Sequence, residues 1–406
     1  MRPQPCTQEA YFGLPEEVVF CRKCVISNQR PSSTVEFKST TDEAKRSIGF
    51  DEEGICEACR YAEIKDTGID WEGREQRLLA LLDKHRRSDG RYDVIVPGSG
   101  GKDSAFASHV LKYKYGMNPL TVTWAPHKYT DIGWRNFESW IHEGGLDNIL
   151  FTPNGRLHRL LTGLAFRNLL HPFQPFIVGQ RIIGPMIAAR FGVELVFYGE
   201  NQAEYGNQMD ENWTPVMDRK FFSAGSPEEI FLGGLSIRDI IAEHGYALND
   251  FAPYIPPSAE DLERAGVEVH YLGYYLKWDP QECYYYAVEN TGFQANPERT
   301  EGTYSKYSSI DDRIDMFHYY TTLIKFGIGR ATYDAAQEIR NGKITREEGV
   351  HLVHKYDQEF PRKYFAEFLD YISMAEAEFF ETVDRFRSPH LWAREAGDWS
   401  LRHQVA

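Results

Sequence analysis

The sequence predicts an α/β protein: a doubly wound parallel sheet with an amino-terminal cysteine module and a helical carboxyl-terminal region. Three observations lead there. Between residues 92 and 272 short apolar strands alternate with helical stretches, a pattern that places crossover helices on both faces of a parallel sheet. The strand through Val96 runs into Gly98-Ser99-Gly100-Gly101-Lys102-Asp103-Ser104, a glycine turn that opens a helix. Ahead of all this stand two Cys-x2-Cys pairs, Cys21/Cys24 and Cys56/Cys59.

In chain order, residues 1–75 are polar and loop-rich and hold both cysteine pairs. The first twenty residues carry Glu9, Glu16 and Glu17 and lack an apolar leader, so a cytoplasmic protein is expected. In that reducing setting paired cysteines serve as metal ligands more often than as disulfides. Cys21, Cys24, Cys56 and Cys59 are therefore expected to hold one Zn²⁺ in a closed, structural site. The 31 residues between the pairs exceed the usual spacing, so two unrelated cysteine turns remain the alternative. Cys6 and Cys283 have no partner at ligand spacing.

Residues 71–87 read as an amphipathic helix, with leucines on one side. Residues 76–280 form the central domain, with strands expected at 93–96, 120–124, 148–152, 194–198 and 267–272. Helices are expected at 104–115, 133–144, 157–170 and 176–191. The apolar tract 176–198 is broken by Gln180, Arg181, Arg190 and Glu194, so it reads as a buried helix and strand rather than a membrane span. Residues 205–260, rich in Gly, Pro and Asn, read as an insertion or lid. Residues 281–406 read as helical, with segments at 311–325, 333–341, 346–356 and 362–386 and a capping box between Thr345 and Glu348.

With 42% hydrophobic residues in 406, the chain can bury a full core. Its formal charge of -15 argues against a nucleic-acid partner, which would demand a basic surface.

The glycine turn has the chemistry of a polyphosphate cradle. Gly100 and Gly101 let backbone N–H groups close around phosphate oxygens, the helix adds its positive end, Lys102 adds a cation, and Ser99 and Ser104 add hydroxyls. A Walker A loop is excluded because Asp103 follows Lys102, and a dinucleotide loop needs glycine where Asp103 stands. After the fourth expected strand, Tyr198-Gly199-Glu200-Asn201-Gln202-Ala203-Glu204 brings carboxylates to the same sheet edge. Asp103 with Glu204 or Glu200 could hold Mg²⁺, a solvated turn being the lesser alternative. Further on come Gly302-Thr303-Tyr304-Ser305-Lys306-Tyr307 and Lys325-Phe326-Gly327-Ile328-Gly329-Arg330. The latter either presents bare backbone and two cations to an anion or caps a helix end. The tyrosines and Trp278 between 271 and 286 either stack on a ligand or pack the core.

Ser99 to Ser104 matches the Ser-Gly-Gly-x-Asp-Ser signature of the PP-loop ATP pyrophosphatases at every position. With both cysteine pairs, Tyr198-Gly199-Glu200-Asn201 and the Lys325–Arg330 motif in this order, the chain resembles the N-acetyl sugar amidotransferases of surface-glycan synthesis from about residue 20 to about residue 370. The resemblance implies ATP and Mg²⁺ as cofactors beside Zn²⁺, and conversion of an acetamido group on a sugar to acetamidino through an O-adenylyl intermediate. It implies a nucleotide site of Ser99, Gly100, Gly101, Lys102, Asp103, Ser104, Gly199, Glu200 and Asn201, and sugar contacts from Tyr304, Lys306, Lys325 and Arg330. Lys102, Asp103, Lys306 and Lys325 are the expected catalytic residues. No glutaminase site is visible, so a separate glutaminase subunit similar to that of imidazole glycerol phosphate synthase is the implied source of ammonia. A PP-loop tRNA-modifying enzyme, a thiolase or lysidine synthase, is the alternative.

Overall fold

The computed structural model describes residues 9–41, 44–205 and 213–406, without the side chains of Glu204 and Tyr205. Helix α1 (Glu57–Thr67) starts at the second cysteine pair, and α2 (Trp71–His85) follows, its first turn closed by Asp70 accepting from the Gly73 N–H. The central sheet then forms from β1 (Val94–Pro97), β2 (Pro119–Trp124), β3 (Asp147–Phe151) and β4 (Leu195–Tyr198), with one further strand described below. They are linked by α3 (Lys102–Tyr113), α4 (Asp131–His142), α5 (Gly155–Leu169) and α6 (Gln174–Phe191). Each expected strand and helix of this stretch lies within about two residues of its expected bounds.

A short hairpin, β5 (Phe231–Leu232) with β6 (Leu235–Ser236), and helices α7 (Ile237–His244) and α8 (Ala259–Arg264) precede β7 (Glu268–Tyr271). The sheet order is β3-β2-β1-β4-β7, and every pairing in it is parallel. β1, β2 and β4 are buried along their whole length, as strands covered on both faces must be. Two glycines let α6 lie close on them. A Cβ at Gly179 would come 2.2 Å from the Trp124 ring, and one at Gly184 would come 2.5 Å from Pro97. The strand order reverses at β1, which has β2 on one side and β4 on the other, so the crevice beyond its carboxyl end is the switch point where ligands of such sheets bind.

Part of the expected insertion, residues 206–212, lies outside the described residues. Beyond it Met217 N–H donates to Val269 and Tyr271 N–H to Pro215, so this segment covers the β7 edge of the sheet. After β7 come α9 (Leu272–Tyr275) and α10 (Pro280–Thr291), and α10 packs directly on α3 and α4. The helical region continues with α11 (Asp315–Phe326), α12 (Arg330–Arg340), α13 (Arg346–Tyr356), α14 (Phe365–Ile372) and α15 (Glu376–Arg385). The Thr345/Glu348 capping box forms as read. The single helix expected over 362–386 is two, because Ser373 takes a left-handed conformation (φ 50°) and ends α14. The chain closes in a hairpin, β8 (Trp392–Glu395) with β9 (Asp398–Leu401), where helix was expected.

A second apolar core joins the cysteine module to this region: Val25, Ile26 and Ile48 pack with Phe326, Ile328 and Ala335. No described helix is long and apolar enough to cross a membrane.

Candidate active site

The phosphate loop occupies the switch point, and its glycines are fixed by contact. Gly100 has φ +82°, and a Cβ there would lie 2.9 Å from the Phe137 backbone of α4. At Gly98 a Cβ would come 2.1 Å from Ser104 Cβ. The loop is therefore squeezed between α4 and the first turn of α3, with its N–H groups at the helix start. Ser99 Oγ donates to Asp311 Oδ2 at 2.9 Å, and Ser104 Oγ to the Gly101 carbonyl at 3.0 Å. Lys102 Nζ lies 2.6 Å from Asp103 Oδ2, and Asp103 Oδ1 accepts from Trp278 Nε1 at 3.0 Å.

The turn after β4 faces this loop. A Cβ at Gly199 would sit 2.6 Å from the Asp103 carbonyl. Burial, and then the negative Asp103, push the Glu200 carboxyl above its ordinary range. Asp103 and Glu200 line one cavity, and two carboxylates so placed form a donor set that fits a hard divalent cation. The side chain of Glu204, the other expected Mg²⁺ ligand, lies outside the described residues. Asn201 holds the turn in place. Its amide donates to Tyr61 Oη at 2.8 Å and to the Gly273 carbonyl at 3.3 Å, pinning the turn to α1.

Two sizeable spaces flank the loop, beside a small one of about 30 Å³ against Lys102, Ser305 and Tyr307. The larger, about 540 Å³, is lined on the loop side by Ser99, Gly101, Asp103, Ser104, Gly199 and Glu200. Its far wall carries Arg30 and Glu36 from the cysteine module, Arg181 from α6, and His318, Thr322 and Lys325 from α11. The smaller, about 150 Å³, lies against Gly100, Lys102, Asn136, Asp311 and Arg330. Lys325 thus shares a cavity with the loop, while Arg330 faces the loop from the other space, held by Asp334 at 3.0 Å.

The glycines around these cations have structural duties. Gly327 ends α11 in the left-handed region, and a Cβ at Gly329 would meet the Asp357 carbonyl at 2.6 Å. Lys325 Nζ donates to the Leu169 carbonyl at the end of α5 (2.7 Å), so this lysine caps a neighbouring helix and lines the cavity at once. Tyr304 and Lys306 line neither space: Tyr304 Oη donates to Glu338 at 2.8 Å, and Lys306 Nζ donates to the Pro297 carbonyl at 2.9 Å on the exposed surface.

Several wall residues are not evident from the sequence. Trp278, behind the wall, does more than pack: its indole N–H donates to Asp103. His318 stacks on His171 (5.0 Å between rings), which pairs with Glu36 at 3.4 Å. Burial alone would raise Glu36, yet His171, Lys45 and Arg181 outweigh it and hold the carboxyl at about 2. The polar interruption of α6 at Arg181 was the available signal; Glu36 and His318 gave none.

The cysteine cluster lies apart from both spaces. All four sulfurs fall within 4.8 Å of one another and are buried, with Cys21–Cys59 at 3.9 Å and Cys24–Cys56 at 3.8 Å. A tetrahedron with metal–sulfur bonds of about 2.3 Å has edges of about 3.8 Å, so the set fits Zn²⁺. Backbone N–H groups of Lys23, Cys24 and Cys56 point at Cys21 Sγ at 3.4–3.5 Å, and hydrogen bonds from the other three cysteines hold this thiol well below its ordinary range.

The parallel sheet reverses its strand order at the Ser-Gly-Gly-Lys-Asp-Ser loop, so the loop that resembles the PP-loop signature sits in a strand–loop–helix setting, with a four-cysteine module and a helical region beside it. Residues 301–405 match the family described as LPS biosynthesis protein WbpG-like, C-terminal domain. Over 82 residues the chain is 30% identical to an uncharacterized protein of Methanocaldococcus jannaschii, covering 20% of this chain and 29% of that one. The chain thus matches less than a third of the length of this curated relative. Among solved structures it is similar to an NMN synthetase from Francisella tularensis (12% identity, TM-score 0.28, 73% of this chain and 98% of that one). It is also similar to the U34-tRNA thiolase NcsA from Methanococcus maripaludis with its [4Fe-4S] cluster (13% identity, TM-score 0.30, 80% and 86%).

Proposed function

We propose that this chain is an ATP-dependent amidotransferase that converts an acetamido group of a bacterial sugar to acetamidino during surface-glycan synthesis, releasing AMP and pyrophosphate. One observation carries the reading: the phosphate loop and Lys325, a residue of the region that matches the LPS biosynthesis family, wall the same cavity of about 540 Å³. That volume suits a small-molecule site.

An amide carbon resists ammonia because its nitrogen feeds electrons into it and its oxygen leaves poorly. Transfer of AMP to the amide oxygen corrects both defects: the oxygen bonds to the α-phosphorus as pyrophosphate departs. Ammonia then adds at carbon, the C–O bond breaks, AMP leaves and one proton is lost, giving the amidine. In this chain the loop N–H groups and Lys102 would bind the departing phosphates, with Lys102 turning from Asp103 to do so. Asp103 and Glu200 would hold Mg²⁺, which when bound neutralises charge on the pyrophosphate. Water would have to be kept from the adenylate, because its hydrolysis would return the acetamide.

Ammonia is proposed to come from a separate glutaminase similar to that of imidazole glycerol phosphate synthase. Four of the five described cysteines belong to the metal-type cluster, and the fifth, Cys283, is buried with its thiol pushed well up by burial. None is placed as a glutaminase nucleophile.

The test is incubation of the full chain with diacetamido sugars and their nucleotide-linked forms, Mg-ATP and ammonium, followed by mass spectrometry. Replacement of one oxygen by NH, with one AMP per product, is expected. AMP release that depends on tRNA and ignores every sugar would contradict the proposal.

A further inference from the structure

Asp103 holds one partner on each oxygen. Oδ2 accepts from Lys102 Nζ at 2.6 Å, and Oδ1 accepts from Trp278 Nε1 at 3.0 Å. The two donors differ in kind. Lys102 is a flexible ammonium able to swing away, whereas the indole offers one N–H in one direction. Trp278 is 2% exposed and packs against Gly273, where an added Cβ would come 2.9 Å from the Trp278 Cβ. Its backbone is held too: the Trp278 carbonyl accepts from Lys65 Nζ at 3.2 Å, and the same ammonium donates to Asn341 Oδ1 at 2.8 Å. Lys65 is 1% exposed and belongs to α1, the helix capped by Cys56 and carrying Cys59. Tyr61 of α1 takes the Asn201 amide beside Glu200.

We infer that Trp278 and Lys65 are positioning residues: the helix of the cysteine module holds Trp278, and Trp278 fixes Asp103 so that Oδ2 alone is exchanged between Lys102 and a divalent cation. The inference rests on reading the loop as an ATP site. With Oδ1 pinned, the carboxylate keeps its orientation when Lys102 leaves for phosphate, so the cation meets a preset ligand. Without the indole N–H the carboxylate rotates freely and its Oδ1 loses a directed partner. Loss of such an outer partner typically weakens metal binding by about 10–100-fold.

Packing and hydrogen bonding are separable here by substitution. Trp278→Phe keeps most of the aromatic bulk and removes the donor; Trp278→His loses bulk and keeps a ring N–H. The experiment is calorimetric binding of α,β-methylene-ATP to the full chain across a Mg²⁺ titration, with thermal melts of each variant. The expected result is that Trp278→Phe raises the Mg²⁺ needed for half-maximal enhancement by about tenfold. Its affinity measured without Mg²⁺ should change less than about twofold, and Trp278→His should stay within about threefold of wild type. Lys65→Met should shift the Mg²⁺ requirement in the same direction by about threefold, and it decides the matter if either tryptophan variant fails to fold.

A wild-type Mg²⁺ profile in Trp278→Phe, or in Lys65→Met where the tryptophan variants unfold, overturns the inference while leaving the ATP site intact. So does a His variant worse than the Phe variant, the order that packing alone gives. Absence of analogue binding by the wild type instead overturns the ATP-site reading, and this inference with it.

Discussion

Lys102 and Asp103 neutralise each other across 2.6 Å at the mouth of a helix, so the loop's formal cation is held ready and exchanged rather than created when an anion arrives. Lys102→Ala should slow ATP cleavage by about a hundredfold with a smaller effect on KM, because the charge acts mainly on the departing pyrophosphate. Steady-state AMP release measures it. Glu36 supports a prediction about pH. Its ordinary value near 4.5 falls to about 2 in the folded chain, so the native state favours the ionised form. The stability this contributes is fully present above about pH 4.5 and is lost as pH falls toward about 2. Glu36→Gln should therefore melt lower than wild type at neutral pH and lose less on acidification across that window, as read by thermal melts at pH 7, 4.5 and 2.5. The sequence could not single out Glu36, because its partner His171 is distant in the chain and neither lies in a motif.

At the scale of elements, the loop between β1 and α3 has glycines of unequal standing. Gly98→Ala drives a Cβ to 2.1 Å from Ser104 Cβ, whereas a Cβ at Gly101 meets nothing nearer than Ser99 Oγ at 3.8 Å and the backbone there has an ordinary negative φ. Gly98→Ala should lower stability by about 1–3 kcal/mol and abolish nucleotide binding, while Gly101→Ala should stay within about 1 kcal/mol of wild type. Chemical denaturation and calorimetry with α,β-methylene-ATP check both. The cysteine module is the second case. Its four sulfurs share a buried tetrahedron that also seats the start of α1, so Cys56→Ser should release the metal and loosen residues up to about 70. Metal analysis should give close to one equivalent of zinc for wild type and well under half for the variant, with faster amide exchange in α1. The β–α alternation, the loop and the cysteine spacing were legible because each is a local pattern. The break in the last long helix was not, since Ser373 takes φ 50° without the glycine or proline that usually announces it. The closing hairpin was hidden for a similar reason: its two strands are four residues each and turn through Ala396 and Gly397, too short to show a period.

Across the whole molecule, the stretches read from sequence as cysteine module, nucleotide domain and helical region meet at one cavity. Arg30 and Glu36 enter from the first, Asp103 and Glu200 from the second, Lys325 and His318 from the third. The apolar contact of Val25 and Ile26 with Phe326 and Ile328 binds the first to the third, and Lys65 and Tyr61 bind it to the second. Such convergence is invisible in sequence because its contacts, such as Lys65 to Trp278 over 213 positions, carry no periodic signal. The same long-range packing ties the Tyr304 and Lys306 side chains to Glu338 and Pro297, while their neighbour Tyr307 lines the smaller space. A cavity walled by all three stretches suits a reaction joining a nucleotide to a second substrate, which makes the fate of ATP the point on which the account turns. The most direct measurement is ³¹P NMR of the full chain incubated with Mg-ATP, ammonium and diacetamido nucleotide sugars. AMP and pyrophosphate in equal amounts, dependent on the sugar, are expected; ADP and orthophosphate as the main products would contradict the account.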